Sequence, residues 1–431
     1  MGMRPEAGLE TARVDSGVPG GRLARRIAIA ALLRLALIAF YVVVYPVRGV
    51  EVALGSDTPV YVWWARRAGA LGLSAFQAGP RPGIVAPLAA IADLLRIPVA
   101  GVASAIGPVL ATSLGFAVAA FVDLSLGRDQ FRFVLTAMFT ATFLSLLVAG
   151  YFSTLAFGVL FVAALGCLVA GAHAPAKKEH GRGSSIAAVL LFGVAAMAHP
   201  QFAVFGAAVI AASLVALIPS VQRDLRDGIS LFRTTAAATA GTFMVGTAAG
   251  LGAVAAIGPA ARAHVDTSRD AILRRLRLSF LTNESYREVL RRFFPWFRVL
   301  TVGGLAATPL FVRTKPAGEP PQATDRRRLL WGAMAGWGAV TVVAVGALIV
   351  GVRSPGQRLA AFCLPLPILA AVGLRGIHNR FIEERRTWAS RIVFLSATLW
   401  VIVAFLGWGK LQPLISGQSA AQFEAAGRAV A

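Results

Sequence analysis

Polar and apolar positions alternate along this chain on the scale of whole helices. Mostly apolar runs recur from one end to the other, each bordered by arginines or turn residues. A run of about 20 such residues, wound as an α-helix, crosses a hydrocarbon core of ~30 Å. The pattern predicts eleven spans, near 27–45, 98–123, 132–149, 152–173, 186–198, 201–218, 234–257, 297–312, 329–352, 358–374 and 391–409. The expected fold is an all-α polytopic membrane protein. Residues 1–26 form a cytoplasmic tail, 27–409 the transmembrane helical domain and 410–431 a C-terminal tail. Arg22, Arg25 and Arg26 precede the first run as in a signal peptide, but Ile27 to Tyr45 continues with no small-residue cleavage site, so it reads as an uncleaved span.

Two gaps between spans are long, 46–97 and 258–296, and both are expected at the external face. Short turns are the default between membrane helices, and long surface insertions are where function concentrates. In the first gap, Pro59 to Leu73 carries Trp63 and Trp64 beside Arg66 and Arg67, the composition of a helix lying at an interface. After a turn at Arg81-Pro82-Gly83, Ile84, Leu88, Ile91 and Leu95 recur at helical spacing up to Ile97, with Asp93 placed to pair with Arg96. The second gap reads as two basic amphipathic helices, one with Ile272, Leu273, Leu276 and Phe280 on its apolar stripe, the next capped by Asn283.

Ile186 to Ile218 contains no Lys, Arg, Asp or Glu, and is too long for one ordinary span yet short for two. His199-Pro200 stands inside it. Proline removes a backbone donor and biases the preceding residue away from helix, which favours two short helices with a turn at His199. One continuous helix would invert everything that follows and place 258–296 in the cytoplasm. Charge does not choose, because the basic residues divide between the two faces in the same proportion under either reading.

Composition narrows the class further. Hydrophobic residues make up 57% of the 431 positions and charged residues 14%, against about 25% charged in soluble globular proteins, which excludes that class. The net charge of +22 does not indicate nucleic acid, since the basic residues sit in short loops where they set topology and meet anionic headgroups. Only Lys177, Lys178, Lys315 and Lys410 are lysines; the rest are arginines, one of them, Arg34, inside the first span. Cys167 and Cys363 lie singly within apolar runs, without metal-ligand or redox spacing.

Few residues carry candidate chemistry. Asp57, in Gly55-Ser56-Asp57-Thr58-Pro59, follows the first span. A carboxylate beside lipid and indole rings has a raised pKa suited to general-base work, and an equally good account makes Ser56 or Asp57 the N-cap of the helix starting near Pro59. His199 suits hydrogen bonding to a substrate phosphate or hydroxyl, or equally the satisfaction of carbonyls freed by the proline. Arg353 and Arg358 flank a tight external turn, where arginine binds phosphate bidentately; most other arginines belong to solvated or lipid-facing loops.

These positions together resemble the GT-C superfamily of membrane glycosyltransferases. The resemblance rests on Asp57 in the first external loop, two juxtamembrane helices after it, His199-Pro200, a long external loop after the seventh span, and Arg358 ahead of Pro365 and Pro367. It implies an inverting enzyme that transfers a sugar from a polyprenyl-phosphate donor to a glycan or lipid acceptor hydroxyl at the external face of a bacterial cell membrane. Asp57 would be the base, with His199, Arg262, Arg269, Arg353 and Arg358 binding substrate. Asp57 stands alone where members often have an acidic pair, so no cofactor is assigned and a divalent metal stays open. Membrane lipids are the other expected partners; nucleic acid is not one. The rival readings are a transporter or flippase of lipid-linked saccharides, an O-antigen-ligase-like polymerase, and a non-catalytic partner of the same fold.

Overall fold

The computed structural model describes residues 58–71, 81–126, 131–140, 150–171, 178–218 and 321–349, with individual residues in 24–39 and 365–388. Of these, 94% are helical and none lies in a strand. The helices are α1 (Thr58–Leu71), α2 (Pro82–Leu95), α3 (Val99–Leu126), α4 (Phe131–Thr140), α5 (Phe152–Gly171), α6 (Lys178–Ala198), α7 (Pro200–Val215) and α8 (Pro321–Ile349). The described residues of 24–39 are helical as well. α3 and α5 are long and apolar enough to cross a membrane. The expected spans 234–257, 297–312 and 391–409, and the loop 258–296 with its two helices, lie outside the described residues.

Local signals set the helix limits. Pro59 and Pro82 stand in first turns, where the missing N–H costs nothing. α2 ends with Arg96 in the left-handed conformation (φ 53°), its N–H donating to the Ala92 and Asp93 carbonyls, and Pro98 prevents continuation. The side-chain ion pair expected between Asp93 and Arg96 is not formed; the backbone cap takes its place. Gly150, at φ 67°, makes the turn into α5.

The stretch 186–218 is two helices. α6 stops at Ala198 and α7 starts at Pro200. In one continuous helix Phe192 and Gly206 would stand about 21 Å apart, yet a Cβ on Gly206 would lie 2.9 Å from the Phe192 ring. The chain therefore folds back at His199.

α5 packs against α3 and α6, and α8 against α7 and α3. Inside lies a column of rings: Phe202 meets Phe157 edge-on at 5.6 Å, Phe157 stacks on Phe161 at 5.3 Å, and Phe161 touches Phe192 and Trp337. α7 and α8 approach closely through small residues. A Cβ at Gly332 would fall 2.8 Å from Ser213 Cα, and one at Gly336 would fall 2.7 Å from Ala212 Cβ. Gly332 and Gly336 form a G-x-x-x-G pair, the spacing that lets helix backbones meet.

At one end of this bundle, arginines tie helix ends together. Arg26 pairs with Asp123 at 2.8 Å and lies over the Phe131 ring. Arg326 donates to the Leu124 carbonyl at 3.3 Å, placing a cation at the negative end of α3, and Arg328 pairs with Asp325. Arg132 donates to His378 Nε2 at 2.6 Å; arginine has only donors, so His378 is neutral there. Partial burial, then the charges of Arg132 and Arg375, hold its pKa below the ordinary value.

Candidate functional site

The opposite end is built from α1, α2, the first turns of α3 and α5, and the α6–α7 junction. Tyr61, Val62, Ala65 and Ala68 of α1 recur at helical spacing and are buried against Ile84, Val85, Leu88 and Ala92 of α2, with Phe152, Ala156 and Ala198 completing the cluster. Trp63, Arg66 and Arg67 occupy the exposed face of α1, and Arg67 lies 6.0 Å from the Trp63 ring centre.

A polar network sits within this apolar cluster. Tyr61 is fully buried. Its Oη accepts from Arg81 Nη1 at 2.5 Å and from the Ser153 backbone N–H at 3.3 Å, and lies 2.6 Å from Ser153 Oγ. Two donors occupy both lone pairs of the phenol oxygen, so the Tyr61 proton goes to Ser153 Oγ. Tyr61 thus joins α1 to the start of α5 and holds Arg81 at the rim. The next residue, Thr154, is fully buried, and its hydroxyl has no hydrogen-bond partner among the described residues.

His199 is buried at the fold-back. Its Nδ1 accepts the Phe202 N–H at 3.4 Å and its ring stacks on Phe202 at 4.1 Å. His199 is therefore the N-cap of α7 and satisfies a freed donor; the carbonyl role weighed from sequence is corrected. An accepting Nδ1 puts the proton of the neutral ring on Nε2. α2 touches this junction directly: a Cβ on Gly83 would lie 2.6 Å from the Ala198 nitrogen and 2.7 Å from the Met197 carbonyl carbon. Gly83 is two residues from Arg81 and Ala198 adjoins His199, so the helix break and the Tyr61 network share one corner.

Of the residues singled out by sequence, His199 is placed in this corner. Asp57 lies outside the described residues, but α1 begins at Thr58, the residue bonded to it, and Thr58 is buried. Arg262, Arg269, Arg353 and Arg358 also lie outside the described residues. Sequence reasoning missed Tyr61, Arg81, Ser153 and Thr154. A tyrosine on the buried stripe of an otherwise interfacial helix was the available signal, because a buried phenol needs a partner.

The electrostatics of this end favour anions. Arg66, Arg67, Arg81 and Arg96 stand in or beside α1 and α2, with Asp93 the single carboxylate among the described residues there. No group of three or more His, Cys, Asp or Glu side chains able to hold a metal occurs among the described residues. Comparison with known proteins finds no matching family profile, no matching curated protein and no matching solved structure.

Proposed function

We propose that this protein is a multi-pass glycosyltransferase of a bacterial cell membrane, transferring a sugar from a polyprenyl-phosphate donor to a glycan or lipid hydroxyl at the external face. The observation that supports the reading is the helix break at His199-Pro200 packed against α2, which in turn packs on α1. With the spans expected from sequence, a fold-back there would put the 46–97 and 258–296 regions on one side of the membrane, where an anionic lipid substrate would meet a basic surface.

In this reading Asp57 takes the proton of the acceptor hydroxyl as that oxygen attacks the anomeric carbon from the face opposite the phosphate. The bond to the phosphate oxygen breaks, configuration inverts, and the phosphodiester leaves as a monoester with one more negative charge. Fixed cations must stabilise that charge. Arg353, Arg358, Arg262 and Arg269 are the arginines proposed from sequence, and Arg81 joins them, held by Tyr61. His199, which caps α7 through Nδ1, is the residue proposed to bind substrate at this corner.

The test is transfer from a radiolabelled polyprenyl-phosphate sugar to endogenous acceptor in membranes. Asp57→Asn is expected to lower turnover by about 10²–10⁴-fold, the usual worth of a general base, with folding intact. Full activity in that variant removes the mechanism. Single cysteines beside Asp57 and Asp270 in a cysteine-free background should both react with an impermeant thiol reagent on intact cells. Labelling near Asp57 alone rules out the shared external face.

A further inference from the structure

One cation lies far from either end of the bundle. Arg34 is eight residues past Arg26, about 12 Å further along a helix, and Thr112 and Ser113 precede Asp123 by eleven and ten residues, about 15 Å. Because Arg26 pairs with Asp123, the 24–39 segment and α3 run antiparallel and Arg34 meets α3 near mid-length. Its Nε donates to Thr112 Oγ1 at 3.2 Å and its Nη2 to Ser113 Oγ at 2.7 Å. No carboxylate pairs with it among the described residues.

The donors at this point outnumber the acceptors. Thr112 is buried, and its own hydroxyl points to the Pro108 and Val109 carbonyls, at 2.8 and 3.0 Å, so toward Arg34 it only accepts. Ser113 accepts from Arg34 and donates to no group among the described residues. Three guanidinium N–H groups and the Ser113 O–H remain, a donor set suited to one tetrahedral anion. Ile27 and Ala31, on the same helical face as Arg34, are exposed and apolar. An anion that reaches this place must bring an apolar chain.

We propose that Arg34 and Ser113, with Thr112 holding the guanidinium in place, bind the phosphate of a lipid between the 24–39 segment and α3. The proposal rests on the membrane placement above and is independent of sugar transfer. Helix–helix adhesion alone does not call for a cation, since a neutral amide at this position could donate to Thr112 without bringing a charge between the helices.

The test uses the full chain in phosphatidylcholine nanodiscs and a farnesyl phosphate carrying a diazirine near its phosphate, with adducts mapped by mass spectrometry. Adducts are expected in 27–38 and 109–116, suppressed by excess farnesyl phosphate and unaffected by farnesol or inorganic phosphate. Arg34→Gln removes the charge while its amide, at the position of Nε, can still donate to Thr112, and it should lower this labelling at least about tenfold, while Arg34→Lys restores part of it and labelling around Arg81 persists. Ser113→Ala, which leaves the Arg34–Thr112 hydrogen bond in place, should lower it severalfold even where Arg34→Gln fails to fold. Competition by phosphatidylglycerol would assign the site to bulk phospholipid, and its absence to isoprenoid phosphate; both support the anion site. Labelling unchanged in Arg34→Gln or Ser113→Ala, or displaced equally by farnesol, overturns it, whether or not transfer is detected.

Discussion

The two ends of the bundle use arginine in opposite ways. At the end holding α4 and the start of α8, Arg26, Arg132 and Arg326 reach from one segment to another, to Asp123, His378 and the Leu124 carbonyl, and Arg328 pairs with Asp325 within α8. Each of the two ion pairs joins a largely buried side chain, Asp123 or Arg328, to a partner that is a third or more exposed. At the α1–α2 end, Arg81 instead contacts a fully buried tyrosine whose hydrogen bonds are all spent within an apolar cluster. The first end is tied at its rim; the second is closed from inside, and only the Arg81 guanidinium remains at its edge. A buried polar network resists rearrangement because breaking it strands groups away from water. That makes the second end the better platform for a site that must hold a charged substrate in one geometry.

This contrast can be broken most forcefully at Gly83. Gly83→Ala puts a methyl against the Ala198 and Met197 backbone, so α2 must shift, and thermal unfolding in detergent should report a loss of about 1–3 kcal/mol. Gly69→Ala on α1 meets nothing within 4 Å and should stabilise by up to about 1 kcal/mol. Equal behaviour of the two would mean that the α2–α6 contact does not close this end.

Tyr61→Phe sharpens the comparison through the network itself. It leaves Ser153 and Arg81 without their shared partner and should cost about 1–3 kcal/mol, with increased chemical access to Arg81. Asp325→Asn at the other end breaks a pair whose carboxylate is 40% exposed and should cost no more than about 1 kcal/mol. A larger loss for Asp325→Asn than for Tyr61→Phe would reverse the assignment of rigid and adjustable ends.

The smallest effect expected is a pH dependence at His378. Its folded-state pKa is lowered, so the unfolded chain binds the proton more readily. Stability from this group is complete above the ordinary histidine value of about 6.5 and is lost as pH falls through the lower folded value. His378→Gln, which still accepts from Arg132, should flatten that part of the stability–pH curve. An unchanged slope would show that His378 does not contribute to the pH dependence.

Much of the helix layout was legible in the chain. The two helices expected at 59–73 and 84–97 fall within a few residues of their expected limits, and the break at His199-Pro200 is where the proline and the length of the uncharged run put it. These signals work because helix hydrogen bonds are local, so a proline or glycine acts on its own turn. His199 was legible as a position but not as a role. Its ring nitrogen caps a donor three residues away, which depends on how the turn bends. The Asp93–Arg96 expectation failed for a similar reason: the left-handed cap at Arg96 satisfies the helix end through backbone groups.

Sequence alone determined that the described chain is helical, that α3 and α5 have the length and apolarity to cross a membrane, and where proline and glycine interrupt or turn the chain. Tertiary structure decided which faces meet. Tyr61 finds Ser153 across 92 positions and Arg34 finds Thr112 across 78, while Gly332 and Gly336 admit α7 to within backbone contact. Apolar stripes are interchangeable as seen from sequence, because burial is non-directional. Hydrogen bonds and close backbone approach are directional, so they select one arrangement only after the helices are brought together.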